Sequence, residues 1–204
     1  MSTTTPIVHS QSCRDTQRLW FFIGLLVALG VAVSTCGAGT PDGPASGSAA
    51  AKEYQVKAAF VYHFTKFIEW PPRSFSGAND PIVIGVLGGG VFGTEIEQVV
   101  MNRTVNGRGI VVKSVVSAAQ AQSVDVLFVS EAQDYSFGEI TPAIERSPIL
   151  TIGESRAFAD RGGIINFVLE NDKVRFEINM EAAERTGLKV SAQLQKLAKA
   201  IIKG

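Results

Sequence analysis

The sequence predicts an α/β fold: a three-layer sandwich with a mainly parallel sheet, a late antiparallel hairpin and C-terminal helices. Three observations predict it. Short runs rich in branched residues alternate with helical stretches between Ile82 and Ile152, the pattern of a parallel sheet covered on both faces. The patterning then changes to strict alternation around Asn171-Asp172, which reads as an antiparallel hairpin. The body after Ala51 contains no cysteine. It must therefore hold together on its apolar core, which roughly 150 residues can supply.

Glu53 to Trp70 reads as the first helix, with Val56, Phe60, Phe64 and Phe67 recurring at spacings of four and three. Lys66 and Glu69 fall on its other side, and Pro71-Pro72 ends it. Ile82 to Leu87 is a strand buried on both faces, followed by a tight glycine turn, Gly88 to Gly90, and a helix over 91–101. Val105-Asn106-Gly107 is a turn. Strands are predicted at Ile110–Val115, Val124–Val129 and Ile149–Ile152, with helices at Ala118–Gln122 and Phe137–Glu145 between them. In the hairpin, Ile164–Leu169 and Val174–Ile178 alternate so that Phe167 faces Phe176 and Ile165 faces Ile178. Two helices close the chain. Asn179 caps the first and Gly187 ends it; Ser191 caps the second, whose stripe is Leu194, Leu197, Ala198 and Ile201.

The first 38 residues read as an export signal rather than as part of the fold. Arg14 and Arg18 precede an apolar run from Leu19 to Val33, and small residues follow to Gly39. The run is shorter than the ~20 residues of a membrane span. Three outcomes stay open: cleavage after Ala38, a lipoprotein signal ending before Cys36, or an uncleaved anchor. Thr35 fits the position before a lipidated cysteine poorly. Residues 39–51 read as a flexible linker rich in Gly, Ala, Pro and Ser, and residues 52–204 as one α/β domain. The two cysteines of the chain, Cys13 and Cys36, both lie in or beside the signal. The body thus has neither an internal disulfide nor a thiolate metal site.

Charge and motifs exclude more than they suggest. Lys+Arg and Asp+Glu number 19 each in 204 residues, so nothing favours nucleic acid as a partner. Gly88, Gly90 and Gly93 match a dinucleotide-binding turn, but Lys113 and Ser114 stand where a ribose-binding carboxylate is expected. A simple tight turn accounts for them. His63 is the body's one histidine and reads as a boundary residue beside Phe60 and Phe67, since one histidine builds no catalytic or metal constellation. Gly153-Glu154-Ser155 begins like a nucleophile elbow, but Ala157 replaces the second glycine. The reading is therefore non-enzymatic, with no cofactor and no metal.

Two groups of residues are candidates for binding. On the polar face of the hairpin, Arg175 suits a carboxylate or phosphate, and Glu177 and Asn166 suit an amine or hydroxyl. Ile164 and Val168 would wall that face. Together they would bind a small zwitterion or nucleotide; the alternative is an Arg–Glu pair on a partly solvated strand. Tyr62, Trp70 and Phe75, near the end of the first helix, are partner-binding anchors if exposed and packing if not.

Several stretches together carry a resemblance. Val56-Lys57-Ala58-Ala59-Phe60-Val61-Tyr62 opens a helix that ends in Phe67-Ile68-Glu69-Trp70-Pro71. Asn106-Gly107-Arg108, the run from Phe158 to Phe167, Val174 to Asn179, and Gly187 to Ser191 follow in order. Over residues 53–203 the chain resembles the YfiR-like family, of the DUF4154 type. The resemblance implies a periplasmic, dimer-forming α/β protein. Its best-known members bind the periplasmic part of an inner-membrane diguanylate cyclase and hold it inactive, and relief of that restraint raises cyclic di-GMP and promotes biofilm formation. Other members would serve other membrane sensors, including histidine kinases. Well-known members carry disulfides in the folded domain. The cysteine-free body departs from them, so redox control by internal disulfides is excluded.

Overall fold

The structure, a computed structural model, describes residues 45–203. The export signal, Cys36 and the first part of the linker lie outside the described residues.

The chain opens with helix α1 (Ala45–Phe67) and the two-residue strand β1 (Ile68–Glu69). Strand β2 (Ile82–Leu87), helix α2 (Gly90–Val100), and strands β3 (Thr104–Val105) and β4 (Arg108–Val115) follow. Next come α3 (Ala118–Ala121), β5 (Val126–Val129), α4 (Asp134–Ile144) and β6 (Leu150–Gly153). The hairpin is β7 (Ile165–Glu170) and β8 (Lys173–Asn179). The chain closes with α5 (Met180–Thr186), β9 (Lys189–Val190), α6 (Ala192–Leu197) and β10 (Ala200–Ile202).

The main sheet has eight strands in the order β10-β8-β7-β6-β5-β2-β4-β3. It is mainly parallel; β7–β8 and β3–β4 are the antiparallel pairs. Period-two patterning explains the layers. In β5, Val126 and Phe128 join a core with α1, α2, α5 and α6, while Leu127 and Val129 join a second core with α3 and α4. The first core is dominated by aromatic contacts: Phe64 lies 4.9 Å from Phe176, and Phe92 stacks on Phe128 at 3.6 Å. The three-layer α/β architecture is as the sequence predicts, and so is the hairpin register of Ile165 with Ile178 and Phe167 with Phe176.

The elements depart from the sequence reading in three places, two of them through tertiary pairing. The first helix ends at Phe67, not Trp70, because Ile68 and Glu69 pair with Val190 and Lys189, and the Ser191 N–H donates to the Phe67 carbonyl at 3.0 Å. The helix also begins at Ala45, inside the stretch read as linker; its alanines are the strongest helix formers. At the other end, the predicted stripe is interrupted. α6 stops at Leu197, whose side chain is exposed, and Ala200–Ile202 instead adds as a parallel strand to β8. An open sheet edge and two isoleucines favour that outcome. Asn179, Ser191 and Gly187 cap and end their helices as expected.

Candidate functional site

The strand order β4-β2-β5-β6-β7 reverses direction at β2, and in such sheets ligands gather beyond the carboxyl ends of the strands. A cavity of about 570 Å³ lies at that end, lined by Ala50, Glu53, Tyr54 and Lys57 of α1, by Glu131, Glu154 and Arg156, and by residues 166–169 of β7.

Glu154 is its centre. It follows β6 directly, so the strand delivers its carboxylate to the sheet end. Lys57 donates to Glu154 Oε2 at 2.6 Å, Tyr54 donates to Oε1 at 3.2 Å, and the Glu131 backbone N–H donates to Oε1 at 3.1 Å. Lys57 also pairs with Glu53, one turn earlier on the helix. Lys57 is only 5% exposed. Burial alone would lower its pKa, but the hydrogen bonds from its ammonium to Glu154 and Glu53 prevail and hold the pKa above the ordinary lysine value. Burial, together with the Glu154 carboxylate, raises the Tyr54 phenol. The cluster is thus a lysine fixed as a cation between carboxylates, fastening α1 to the sheet end. Sequence reasoning missed it. The signal was present, because Lys57 lies on one stripe of the helix with the buried Val61 and Phe64. The partner Glu154 is 97 positions away.

Asn166 is 2% exposed and lines the cavity, and its Oδ1 has no hydrogen-bond partner. Glu177 pairs with Asn166 across the hairpin and is half-buried; Arg175 pairs with Val168 and is exposed. Neither Arg175 nor Glu177 lines the cavity. The structure thus brings one of the three ligand-binding candidates to the cavity and leaves two on the adjacent strand.

The aromatic candidates lie elsewhere. Tyr62 is buried, with Lys66 Nζ 4.4 Å and the Arg103 guanidinium 4.9 Å from its ring centre. Trp70 and Phe75 are half-buried and meet edge to face at 6.2 Å, with Arg108 4.0 Å over Phe75. The Trp70 indole N–H is buried without a partner.

The remaining motifs resolve into local structure. Gly88, Gly89 and Gly90 all have positive φ, and Gly88 packs against Ser130 and Gln133. Ser155 donates to Asp134 Oδ1 at 2.6 Å, and Arg161 pairs with the same carboxylate. His63 is exposed rather than set at the apolar boundary, its ring 5.5 Å from that of Tyr62. Among the described residues no group of three His, Cys, Asp or Glu side chains converges on a metal position, and no helix is long and apolar enough to cross a membrane.

The YfiR/HmsC-like family (DUF4154) matches residues 54–199, well over half of the chain. The chain belongs to that family. Both the α1 face that carries Lys57 and the β7–β8 hairpin fall within the matched range. Membership in the YfiR/HmsC-like family supports a periplasmic regulatory role. No curated protein matches the chain. Among solved structures, an ABC domain in complex with L-Trp from Streptococcus pneumonia is 14% identical, with a TM-score of 0.48. A conserved domain protein from Vibrio cholerae is 12% identical, with a TM-score of 0.47. Each alignment covers 73% of this chain and 60% of the other.

Proposed function

We infer that this YfiR/HmsC-like protein is a periplasmic, non-enzymatic regulator that binds the periplasmic part of an inner-membrane sensor and restrains it. The sensor is a diguanylate cyclase, so release of the restraint raises cyclic di-GMP and favours biofilm. The family match over residues 54–199 carries this reading. Residues 1–38 serve export, with Cys36 as the lipidation position if the signal is of the lipoprotein type; residues 39–44 link it to the domain, whose first helix begins at Ala45. The protein acts as a homodimer and docks through the surface around the half-buried Trp70 and Phe75, while the buried Tyr62 serves packing. Regulation by occupancy needs only that one state of the sensor be bound more tightly, with a coupling of about 1–3 kcal/mol. Deleting the gene in its own host should raise cellular cyclic di-GMP, and restoring the full chain should lower it again. An unchanged level in the deletion strain would remove the cyclase and leave a histidine kinase as the sensor to examine.

The unpaired Oδ1 of buried Asn166 favours a second reading, a small-ligand sensor, since a polar ligand would satisfy it. Arg175 and Glu177 extend that polar face of the hairpin. A thermal-shift screen of zwitterions and nucleotides on the full chain tests it. Arg175→Ala should abolish the stabilisation a hit produces; an undiminished shift removes Arg175 from the site.

A further inference from the structure

Strand β7 outruns one of its neighbours. Its ladder to β6 stops at Gly153 with Asn166, while its ladder to β8 continues to Glu170 with Lys173. The stretch from Phe167 to Glu170, about 13 Å at 3.3 Å per residue, therefore has a strand on one side only. The cavity of about 570 Å³ borders this stretch at Phe167, Val168 and Leu169.

The direction of the backbone groups follows from the ladder. The Asn179 N–H donates to the Ile164 carbonyl at 2.8 Å. In an alternating antiparallel ladder, this turns the backbone groups of Ile164, Asn166 and Val168 toward β8, and those of Leu169 away from it. The Leu169 side chain is 58% exposed. Asn166 Oδ1 is an acceptor without a partner, buried in the cavity lining. An unmet buried acceptor is costly. An open strand edge beside such an acceptor matches what a peptide backbone offers, with N–H and C=O groups at regular spacing. The buried charges of the cavity do not compete for the ligand, because Lys57 already pairs with Glu154 and Glu53; Glu131 and Arg156 are solvent-exposed.

We propose that this cavity is a strand-addition site, in which an extended, uncharged segment of another polypeptide lies beside Phe167 to Glu170. The segment takes the line that β6 leaves after Gly153. It hydrogen-bonds to the backbone of Leu169, donates to Asn166 Oδ1, and packs its side chains against Ala50 and Tyr54 of α1. The proposal deepens the regulatory reading and rests on it in one respect, that the segment belongs to the restrained membrane partner.

The test uses the full chain, exported in its own host, with a photo-crosslinking amino acid at Ala50 on the wall of the cavity and, in a separate chain, at Phe75. Mass spectrometry maps what each position captures. The Ala50 adduct should map to one contiguous stretch in the periplasmic part of a membrane protein. Leu169→Pro removes the outward N–H without touching the β8 ladder and should lower that yield about tenfold. Leu169→Ala keeps the N–H and should leave the yield within about twofold. If the proline variant loses its fold by circular dichroism, an ester in place of the Val168–Leu169 amide deletes the same N–H. Equal yields from wild type and the N–H-deleted chain overturn the proposal, as does an adduct with a small molecule only, or no adduct at Ala50. A membrane sensor captured at Phe75 with nothing at Ala50 overturns the strand-addition site and leaves the regulatory reading standing. Capture at neither position removes both.

Discussion

At the scale of single residues, Lys57 is the most consequential side chain. It is a buried cation, held by Glu154 and Glu53, that fastens the first helix to the end of the sheet. Removing one member of a buried pair strands the other as an uncompensated charge. Lys57→Met should therefore cost about 3–5 kcal/mol, read as a lower urea midpoint with an unchanged slope. The double variant Lys57→Met, Glu154→Gln should recover much of that loss, because the buried carboxylate is then gone and the Glu53 carboxylate that remains reaches solvent. The pH dependence has a definite sign. The folded-state pKa of Lys57 is raised, so its stabilisation is complete at neutral pH. It is lost only as pH rises from about 10.4, the unfolded value, through the higher folded value.

Elements differ in how much of them was written locally. The buried strands β2 and β5 were legible because short, nearly continuous apolar runs rich in β-branched residues suit a strand covered on both faces. The hairpin register was legible because a two-residue loop fixes which residues oppose. The end of α1 and the strand β10 were not. Both are decided by chain that arrives from elsewhere: β9 for Ile68 and Glu69, and the free edge of β8 for Ala200 to Ile202. The Lys57–Glu154 centre was hidden for the same reason, and only the lysine on an apolar stripe hinted at it. The two hairpin turns make a further point. Asn106-Gly107 adopts φ of 52° and 81°, with glycine at the second position; Asn171-Asp172 adopts 50° and 58° without one. A left-handed conformation costs an ordinary residue about 1–2 kcal/mol, partly offset by glycine's greater freedom when unfolded. Asp172→Gly should thus stabilise the protein by about 0.5–1 kcal/mol, seen as a higher Tm. A lower Tm would mean that the Asp172 side chain contributes more than the backbone strain it carries.

For the whole molecule, the three layers leave a rigid sheet with its sites at different ends. The cavity bounded by Lys57, Glu154 and Asn166 sits beyond the carboxyl ends of β5 and β6, while Trp70, Phe75 and Arg108 gather near the amino end of β2. A regulator that works by occupancy needs such surfaces and needs no bond-making chemistry. Its effect is the difference in its affinity for two states of the sensor, and about 1.4 kcal/mol of that difference changes the ratio of those states tenfold. The most direct measurement is the rate of cyclic di-GMP synthesis by inner membranes from the host's deletion strain, with and without added full-length protein. The rate should fall several-fold and the fall should saturate with added protein. A rate that does not change at saturating protein would contradict the regulatory reading.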